Sequence, residues 1–340
     1  MIPPAEPGTK AVARVAADLG TVTVELPVTR VRGARPGPRV VITAGMHGGE
    51  FTGVEAAVRL AAVLRPEDVN GEVTICPVAN PPAVYDGRLG VSPLDGVNIN
   101  RVFPGDPHGR PTERLAAWHT AHLIAGADVY VDLHSGGIDE SLRDFTGYRL
   151  TGEPRLDART RALARAIGIE DVILGLTTEG GNSHASAARR GVPALLVEAG
   201  QRGDRDPTAA ARLVDGLLRL LGRAGVTDRP AGDADAPTEI HEWLWAASVT
   251  AETTGLWYPA VTAGDDVTAG QPLGHLLDPA DGTRTPVDSP ATGRLFYGMH
   301  ALAVARGAEL AAIAEPEAGS RHARAARPVA APPGRSRSTA

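Results

Sequence analysis

Four short apolar runs, rich in β-branched residues, constrain the fold of this chain most. They lie at 40–44, 72–78, 127–133 and 193–197. Such runs are typical of strands that are buried on both faces of a parallel sheet. Segments with helical periodicity separate or follow them, at 54–64, 112–124, 156–167 and 207–221. Strands that alternate with helices predict an α/β domain whose sheet carries helices on both faces.

The pattern changes towards the C-terminus. Residues 222–238 are rich in Gly, Asp, Ala and Pro, which predicts a linker. Five short strands separated by turn residues then predict a small all-β module; they lie near 241–251, 256–261, 272–277, 293–297 and 310–313. Residues 315–340 have almost no large apolar side chains and are expected to be a disordered tail. We therefore divide the chain into an α/β domain (1–225), a β-module (239–314) and a tail (315–340).

Charge and cysteine content exclude several classes of function. The formal net charge of -6 gives no reason to expect a nucleic acid or an anionic membrane as a partner. Cys76 is the only cysteine, so no intramolecular disulfide can form, and neither a secretion signal nor an apolar run long enough to span a bilayer is visible. We expect a cytoplasmic protein. The oligomeric state stays open, with a homo-oligomer as one option.

Two predicted strands end in residues that bind metals. His47 and Glu50 follow the run at 40–44, and His134 follows the run at 127–133. The carboxyl ends of parallel strands meet at one edge of a sheet, where ligands bind in such folds. Two imidazoles and one carboxylate form the ligand set of a hydrolytic zinc site, which leaves one position open. The alternative is a turn histidine followed by a glutamate near a helix N-terminus, since a His and a Glu three apart also occur by chance.

Other polar residues flank these candidate ligands. Asp132 and His134 point to the same side of their strand, so Asp132 is expected to accept a hydrogen bond from a ligand imidazole. Glu198 ends the apolar run at 193–197, where it can take a proton from water and return it to a leaving amine. The alternative for both carboxylates is an ordinary solvated strand end.

The long loop at 85–111 lacks periodicity, which favours a functional segment over a plain connector. Its Asn100 and Arg101 are candidates for binding a substrate carboxylate, because Arg offers a two-pronged hydrogen bond and Asn an amide. Arg88 is a candidate for stabilising an oxyanion. Surface solvation is the alternative for each arginine.

Taken together, four segments resemble the succinylglutamate desuccinylase/aspartoacylase family, a branch of the zinc carboxypeptidase-like fold. They are Gly-Met-His-Gly-Gly-Glu at 45–50, Asn-Ile-Asn-Arg-Val-Phe-Pro-Gly at 98–105, Val-Asp-Leu-His-Ser-Gly-Gly at 131–137 and Val-Glu-Ala-Gly at 197–200. The resemblance covers residues 35–200 in the right order. It implies a mixed β-sheet flanked by helices, and a small N-acyl amino acid as the substrate.

The resemblance also implies roles for the candidate residues. One zinc ion per chain would be held by His47, Glu50 and His134, with Glu198 as general base and acid. The substrate carboxylate would be bound by Asn100 and Arg101, and the carbonyl would be polarised by Arg88.

The β-module contains segments that look like those of a biotinyl/lipoyl-type domain. Such a domain carries its cofactor on a lysine, and Lys10 is the only lysine in the chain. We therefore expect a structural or gating role over the mouth of the active site, with an inert appended domain as the alternative. Of the other histidines, His119 and His122 are expected to form one solvated helix face rather than a second metal site. His184 is expected at the surface, with contact to the substrate as the alternative.

These observations predict a zinc-dependent amidohydrolase that removes a small acyl group from an amino acid. Within the family, the segment at 132–137 and the appended β-module are most similar to deacetylases that act on N-acetylated diaminobutyrate. Two alternatives remain: a metallocarboxypeptidase acting on peptides, and a binding protein that kept the fold without catalysis.

Overall fold

The computed structural model describes residues 5–87, 90–228 and 239–318. The strands before residue 200 are β1 (Thr9–Asp18), β2 (Thr23–Arg32), β3 (Arg35–Ala44), β4 (Asn70–Cys76), β5 (Val129–His134), β6 (Glu140–Leu142), β7 (Phe145–Arg149), β8 (Asp171–Gly175) and β9 (Ala194–Glu198). Those that follow are β10 (His241–Thr250), β11 (Gly255–Pro259), β12 (Asp266–Val267), β13 (Pro272–Leu277), β14 (Arg284–Asp288), β15 (Gly293–Met299), β16 (Ala303–Val304) and β17 (Glu309–Pro316). The helices are α1 (Phe51–Val63), α2 (Pro111–His119), α3 (Pro154–Ile167), α4 (Ser183–Ala188) and α5 (Pro207–Arg223).

A large mixed sheet organises the described residues. Its strands lie in the order β1-β2-β4-β3-β5-β9-β7-β8-β10-β17-β15-β12, and β6 pairs with β15. Strands β4, β3, β5 and β9 run parallel to one another, whereas β7 is antiparallel to β9. The predicted mixed α/β sheet is therefore confirmed, and the four apolar runs of the sequence are its central parallel strands.

Both faces of these central strands are buried. Ile42 of β3 and Val131 of β5 belong to a core shared with α1, α3 and α5. Val41 and Tyr130, one position earlier on each strand, belong to a second core that includes residues of α2. Because side chains alternate across a strand, burial on both faces requires an uninterrupted apolar run. This is why the sequences of these strands are continuous apolar segments.

The C-terminal strands continue the same sheet. β10 pairs in parallel with β8, and β17, β15 and β12 follow it, while β14, β13, β11 and β16 form a second, four-stranded sheet. Strands occur at all five predicted places after residue 239. The assignment of these strands to a separate biotinyl/lipoyl-like module, and the boundaries at 225 and 239, stay predictions.

Two further predictions concern the ends and the surroundings of the chain. β17 extends to Pro316, two residues into the segment expected to be a tail, because Pro316 and its neighbour pair with β10. Residues 319–340 of that segment lie outside the described residues. None of the helices within residues 5–87, 90–228 and 239–318 is long and apolar enough to cross a membrane. The cytoplasmic location stays a prediction.

Candidate metal centre and its cavity

The turn between β3 and α1 presents two of the candidate ligands. His47 lies within this turn and Glu50 directly precedes α1. Gly45 and Gly49 have φ values of 66° and 83°, a backbone conformation that glycine adopts without steric cost. Glu50 occupies the N-cap position, but its carboxylate makes no capping hydrogen bond to α1. The carboxylate is therefore free to contact the histidines.

The third candidate ligand comes from the neighbouring strand. β5 pairs in parallel with β3, so His134 at its end lies beside the β3–α1 turn. The Nδ1 atom of His134 is 2.8 Å from Glu50 Oε2, and the Nδ1 atom of His47 is 2.7 Å from Glu50 Oε1. The two imidazole centroids are 5.0 Å apart. The three predicted ligands thus converge on one point.

The chemistry of this donor set fits a divalent metal ion. One ligand atom from each of His47, Glu50 and His134 lies within 4.8 Å of the others, and no second such group occurs among the described residues. The Nε2 atoms face away from Glu50: that of His47 lies 3.0 Å from Asn98 Oδ1, and that of His134 lies 3.0 Å from Asp132 Oδ2. Metal-binding histidines characteristically donate their other N–H to such an acceptor, which fixes the ring and leaves the facing nitrogen to coordinate.

Asp132 is the acceptor that orients His134, as the sequence predicts. It is fully buried and also accepts hydrogen bonds from Thr43 Oγ1, at 2.7 Å, and from the Ser183 hydroxyl. Burial opposes ionisation of this carboxyl, but the charge of His134 and the hydrogen bonds it accepts lower its pKa. Asp132 is therefore held as a carboxylate beneath the metal centre.

The ligands themselves form a coupled charge cluster. Burial penalises the charged form of Glu50, but the attraction of His47 and His134 outweighs this penalty and lowers its pKa to about 2. Burial likewise disfavours the imidazolium of His134, while Asp132 and Glu50 raise its pKa well above the usual value. The site thus collects negative charge around imidazoles, an environment that a bound cation would complement.

Glu198 ends β9, the strand next to β5. His134 and Glu198 are paired in register, so their side chains project to the same side of the sheet. Burial raises the pKa of Glu198 well above its usual range; the positive charge of His134 opposes this rise, and the negative charges of Glu50 and Glu140 add to it. A carboxyl group with a raised pKa next to the candidate ligands is suited to taking up a proton and releasing it again.

A family model supplies the decisive comparison. The model of the succinylglutamate desuccinylase/aspartoacylase catalytic domain matches residues 36–223, which include all the residues of this centre. The chain belongs to the succinylglutamate desuccinylase/aspartoacylase family. The resemblance inferred from the four sequence segments is thereby confirmed.

Individual relatives of this desuccinylase/aspartoacylase-family protein match most of its length. N-alpha-acetyl-L-2,4-diaminobutyric acid deacetylase of Halomonas elongata is 33% identical over 299 residues, 86% of each chain. A succinylglutamate desuccinylase/aspartoacylase structure from Rhodobacter sphaeroides has a TM-score of 0.81 at 30% identity and covers 91% of this chain and 95% of its own. The product-bound ectoine utilization protein EutE (DoeB) of Ruegeria pomeroyi has a TM-score of 0.82 at 25% identity, covering 92% and 97%.

In this family member, the Asn-Arg pair lies in the 3-10 turn Ile99–Arg101 beside the metal centre. Asn100 is buried; its Oδ1 accepts the Ser183 N–H at 3.1 Å, and its Nδ2 lies 3.1 Å from His134 Nε2. Arg101 is exposed and donates to the Asn100 carbonyl at 3.0 Å. Carboxylate binding by this pair stays a prediction. Arg88, the predicted carbonyl-polarising residue, lies outside the described residues.

A cavity of about 750 Å³ opens over the candidate metal ligands of this family member. Its walls include the three candidate ligands, Glu198, Asn100 and Arg101. The C-terminal strands supply another part of the wall, through Trp245, Tyr297 and Glu309. The C-terminal strands thus contribute to the cavity wall, and a gating role for them stays a prediction. Two cavity residues that the sequence reasoning missed are Glu140 and Arg149.

The prediction for His184 was wrong. Its side chain is only 4% exposed, belongs to α4 and lines the cavity. Burial, and next the charge of Arg149, lower its pKa to about 3, so the ring is neutral. The preceding segment, residues 180–183, consists of small and polar residues, which suggested an exposed loop. The sequence signal that was available was the apolar stretch of alanines at 185, 187 and 188.

The expected solvated face of α2 is also partly wrong. His119 is fully buried, and its Nε2–H donates to the Ala79 carbonyl at 2.7 Å. Its ring packs against Trp118 and Phe103 rather than facing solvent.

Proposed function

We propose that this protein is a zinc-dependent deacylase that hydrolyses the amide of a small N-acyl amino acid to the free amino acid and a carboxylic acid, with N-acetyl-2,4-diaminobutyrate as the expected substrate. The observation that carries the proposal is the convergence of His47, Glu50, His134 and Glu198 at the ends of adjacent strands, in the wall of one cavity. The name of the Halomonas elongata relative supports the choice of substrate.

The chain's own residues account for most of the reaction. When bound by His47, Glu50 and His134, a zinc ion supplies Lewis acidity, which acidifies water and polarises a carbonyl group. Glu198 takes the proton of the attacking water and delivers it to the amine that leaves, which avoids expelling an unstable amide anion. Asp132 keeps His134 oriented through the 3.0 Å hydrogen bond.

Charged residues in the cavity wall support an amino-acid substrate. Arg101 offers a guanidinium for the substrate carboxylate, next to Asn100. Arg88 lies outside the described residues, and its assignment to the acyl carbonyl rests on the family resemblance. Glu140 and Glu309 line the same cavity and provide negative charge, which suits the additional ammonium group of a diamino acid. The walls contributed by the C-terminal strands favour a small substrate over a long peptide.

A substrate screen tests the proposal. Purified protein loaded with zinc is offered N-acetyl, N-succinyl and N-formyl amino acids, including N-acetyl-L-2,4-diaminobutyrate, and amine release is measured. We expect turnover that chelation abolishes and zinc restores. Glu198→Gln should lower kcat by about 10²- to 10⁴-fold, typical for loss of a general acid–base group, while zinc content is unchanged. Glu25→Gln, at an exposed position of β2, is the matched control.

The outcomes separate the alternatives. Activity that survives exhaustive chelation or the Glu198 substitution would contradict the mechanism. Release of C-terminal residues from peptides, with no turnover of N-acyl amino acids, would favour a metallocarboxypeptidase. Zinc binding with no hydrolysis of any substrate would favour a binding protein.

A further inference from the structure

Arg149 has a charge that the proposed mechanism does not use. It ends β7, lines the cavity over the metal centre and is only partly exposed. Its Nη2 donates to Asn182 Oδ1 at 3.1 Å, and no carboxylate of the described residues forms an ion pair with it. Arg294, another partly buried arginine, by contrast pairs with Asp171 and Asp266.

The surroundings of Arg149 add positive rather than negative charge. Burial lowers the pKa of its guanidinium, and the nearby charges of Arg189 and Arg101 lower it further. His184 lies in the same wall, is 4% exposed, and has an Nδ1 atom with no hydrogen-bond partner. A partly desolvated guanidinium without an anionic partner raises the free energy of the protein. An anionic ligand bound beside it would offset much of this penalty.

The chain makes specific room for this guanidinium. Arg149 and Gly175 are register partners at the ends of β7 and β8. A Cβ atom at residue 175 would lie 2.3 Å from Arg149 Cδ and 2.7 Å from Nη1. A side chain at residue 175 would therefore require the Arg149 guanidinium to move from its place across the end of β8. The glycine leaves room for the observed position of Arg149.

Hydrogen bonds link Arg149 to the metal centre. Asn182 accepts from Arg149 and donates to the Asn100 carbonyl at 3.3 Å. Asn100 lies 3.1 Å from His134 and uses its Oδ1 for the Ser183 N–H. The Oδ1 of Asn100 is engaged by the Ser183 N–H. A guanidinium adds a full positive charge and a two-pronged hydrogen bond, so it is the stronger candidate for holding a substrate anion.

We propose that Arg149 is a substrate-binding residue that holds the carboxylate of the N-acyl amino acid, together with Arg101. This inference rests on the proposed function for the identity of the anion. It makes Arg149 the less exposed member of the carboxylate site and Arg101 the more exposed one.

The test compares two substrates that differ in one group. N-acetyl-L-2,4-diaminobutyrate and its carboxamide, which lacks the negative charge, are assayed with zinc-loaded wild-type enzyme and Arg149→Gln. Loss of a charged hydrogen-bonding partner is expected to lower kcat/KM for the carboxylate substrate by about 10- to 150-fold. The value for the carboxamide should change by less than about threefold, within ordinary context effects. Arg161→Gln, which removes an arginine of α3 that pairs with Glu242, is the control.

Two further variants protect the test against a folding artefact. Arg149→Lys keeps the charge without the forked geometry and should give an intermediate loss. Gly175→Ala displaces the guanidinium but retains Arg149. It should lower kcat/KM for the carboxylate substrate as much as Arg149→Gln does, and leave kcat/KM for the carboxamide unchanged. Equal losses for both substrates would overturn the proposal, because Arg149 would then act only by positioning Asn182. Unchanged kinetics in Arg149→Gln would overturn it as well.

Binding distinguishes this inference from the proposed function. In the Glu198→Gln background, the Kd of N-acetyl-L-2,4-diaminobutyrate is measured by calorimetry with and without Arg149→Gln. If the wild-type enzyme hydrolyses nothing, the proposed function fails, yet weaker binding on loss of Arg149 still supports a carboxylate site. If the Kd does not depend on Arg149, or no binding occurs, the inference fails.

Discussion

Replacing Asp132 by Asn tests how the metal centre is held in place. Asp132 accepts three hydrogen bonds, from Thr43, Ser183 and His134, and is fully buried. Asparagine has nearly the same shape but only one acceptor oxygen, and its NH₂ group would face a donor. At least one of the three donors therefore loses its acceptor.

The expected magnitude follows from these contacts. A buried donor without an acceptor costs about 1–3 kcal/mol, so we expect the free energy of unfolding of the metal-free protein to fall by that amount. Loss of a carboxylate that orients a metal-binding histidine lowers metal affinity by about 10- to 100-fold. This corresponds to about 1.4–2.7 kcal/mol of binding free energy.

Two measurements separate these effects. Zinc affinity is obtained by competition with a chromophoric chelator, and the free energy of unfolding by urea titration of the metal-free protein. Thr43→Val is the control, because it removes one donor to Asp132 but leaves the carboxylate on His134. Its zinc affinity should stay within a few-fold of wild type. An unchanged zinc affinity in Asp132→Asn would refute the orienting role of Asp132.

Two other predictions concern stability. Burial lowers the pKa of His119 to about 4 from the usual 6.5, so the unfolded chain binds a proton that the folded chain does not as pH falls from 6.5 to 4. This group should therefore lower the free energy of unfolding by about 1.4 kcal/mol for each pH unit in that range. His119→Gln keeps a donor for the Ala79 carbonyl and should reduce this pH dependence, measured by urea titration at several pH values. The exposed control His108→Gln should leave the pH dependence unchanged. Gly53→Ala would place a Cβ atom 3.1 Å from the Leu133 backbone, so α1 would have to move away from β5. We expect the free energy of unfolding to fall by about 1–3 kcal/mol in the same urea titration. An unchanged urea midpoint would show that the contact can relax.

The central strands and the three candidate ligands could be predicted because their signals are local. An apolar run that ends in a histidine fixes both the strand and the edge at which the histidine lies. His47, Glu50, His134 and Glu198 all follow such runs. Their convergence then required only the rule that the carboxyl ends of parallel strands share one edge.

The residues that were missed depend on contacts between distant segments. The pairing of β7 with β8, which puts Arg149 across Gly175, joins segments separated by α3, and no local pattern indicates which residues become partners. His184 follows glycine, asparagine and serine, and only packing against the rest of the fold buries it. The charge environment of the cavity likewise arises from strands far apart in the sequence, including Glu309 of β17.

The parallel pairing of β10 with β8 has a consequence for how the domain must fold. Without β10, β8 would be an edge strand whose free N–H and C=O groups could pair with another chain. The central strands can form from residues before 200, but a protected sheet requires the chain to return after residue 239. Residues after 239 also complete the cavity wall, so a molecule in which β10 is not paired would expose both an unprotected sheet edge and an incomplete site.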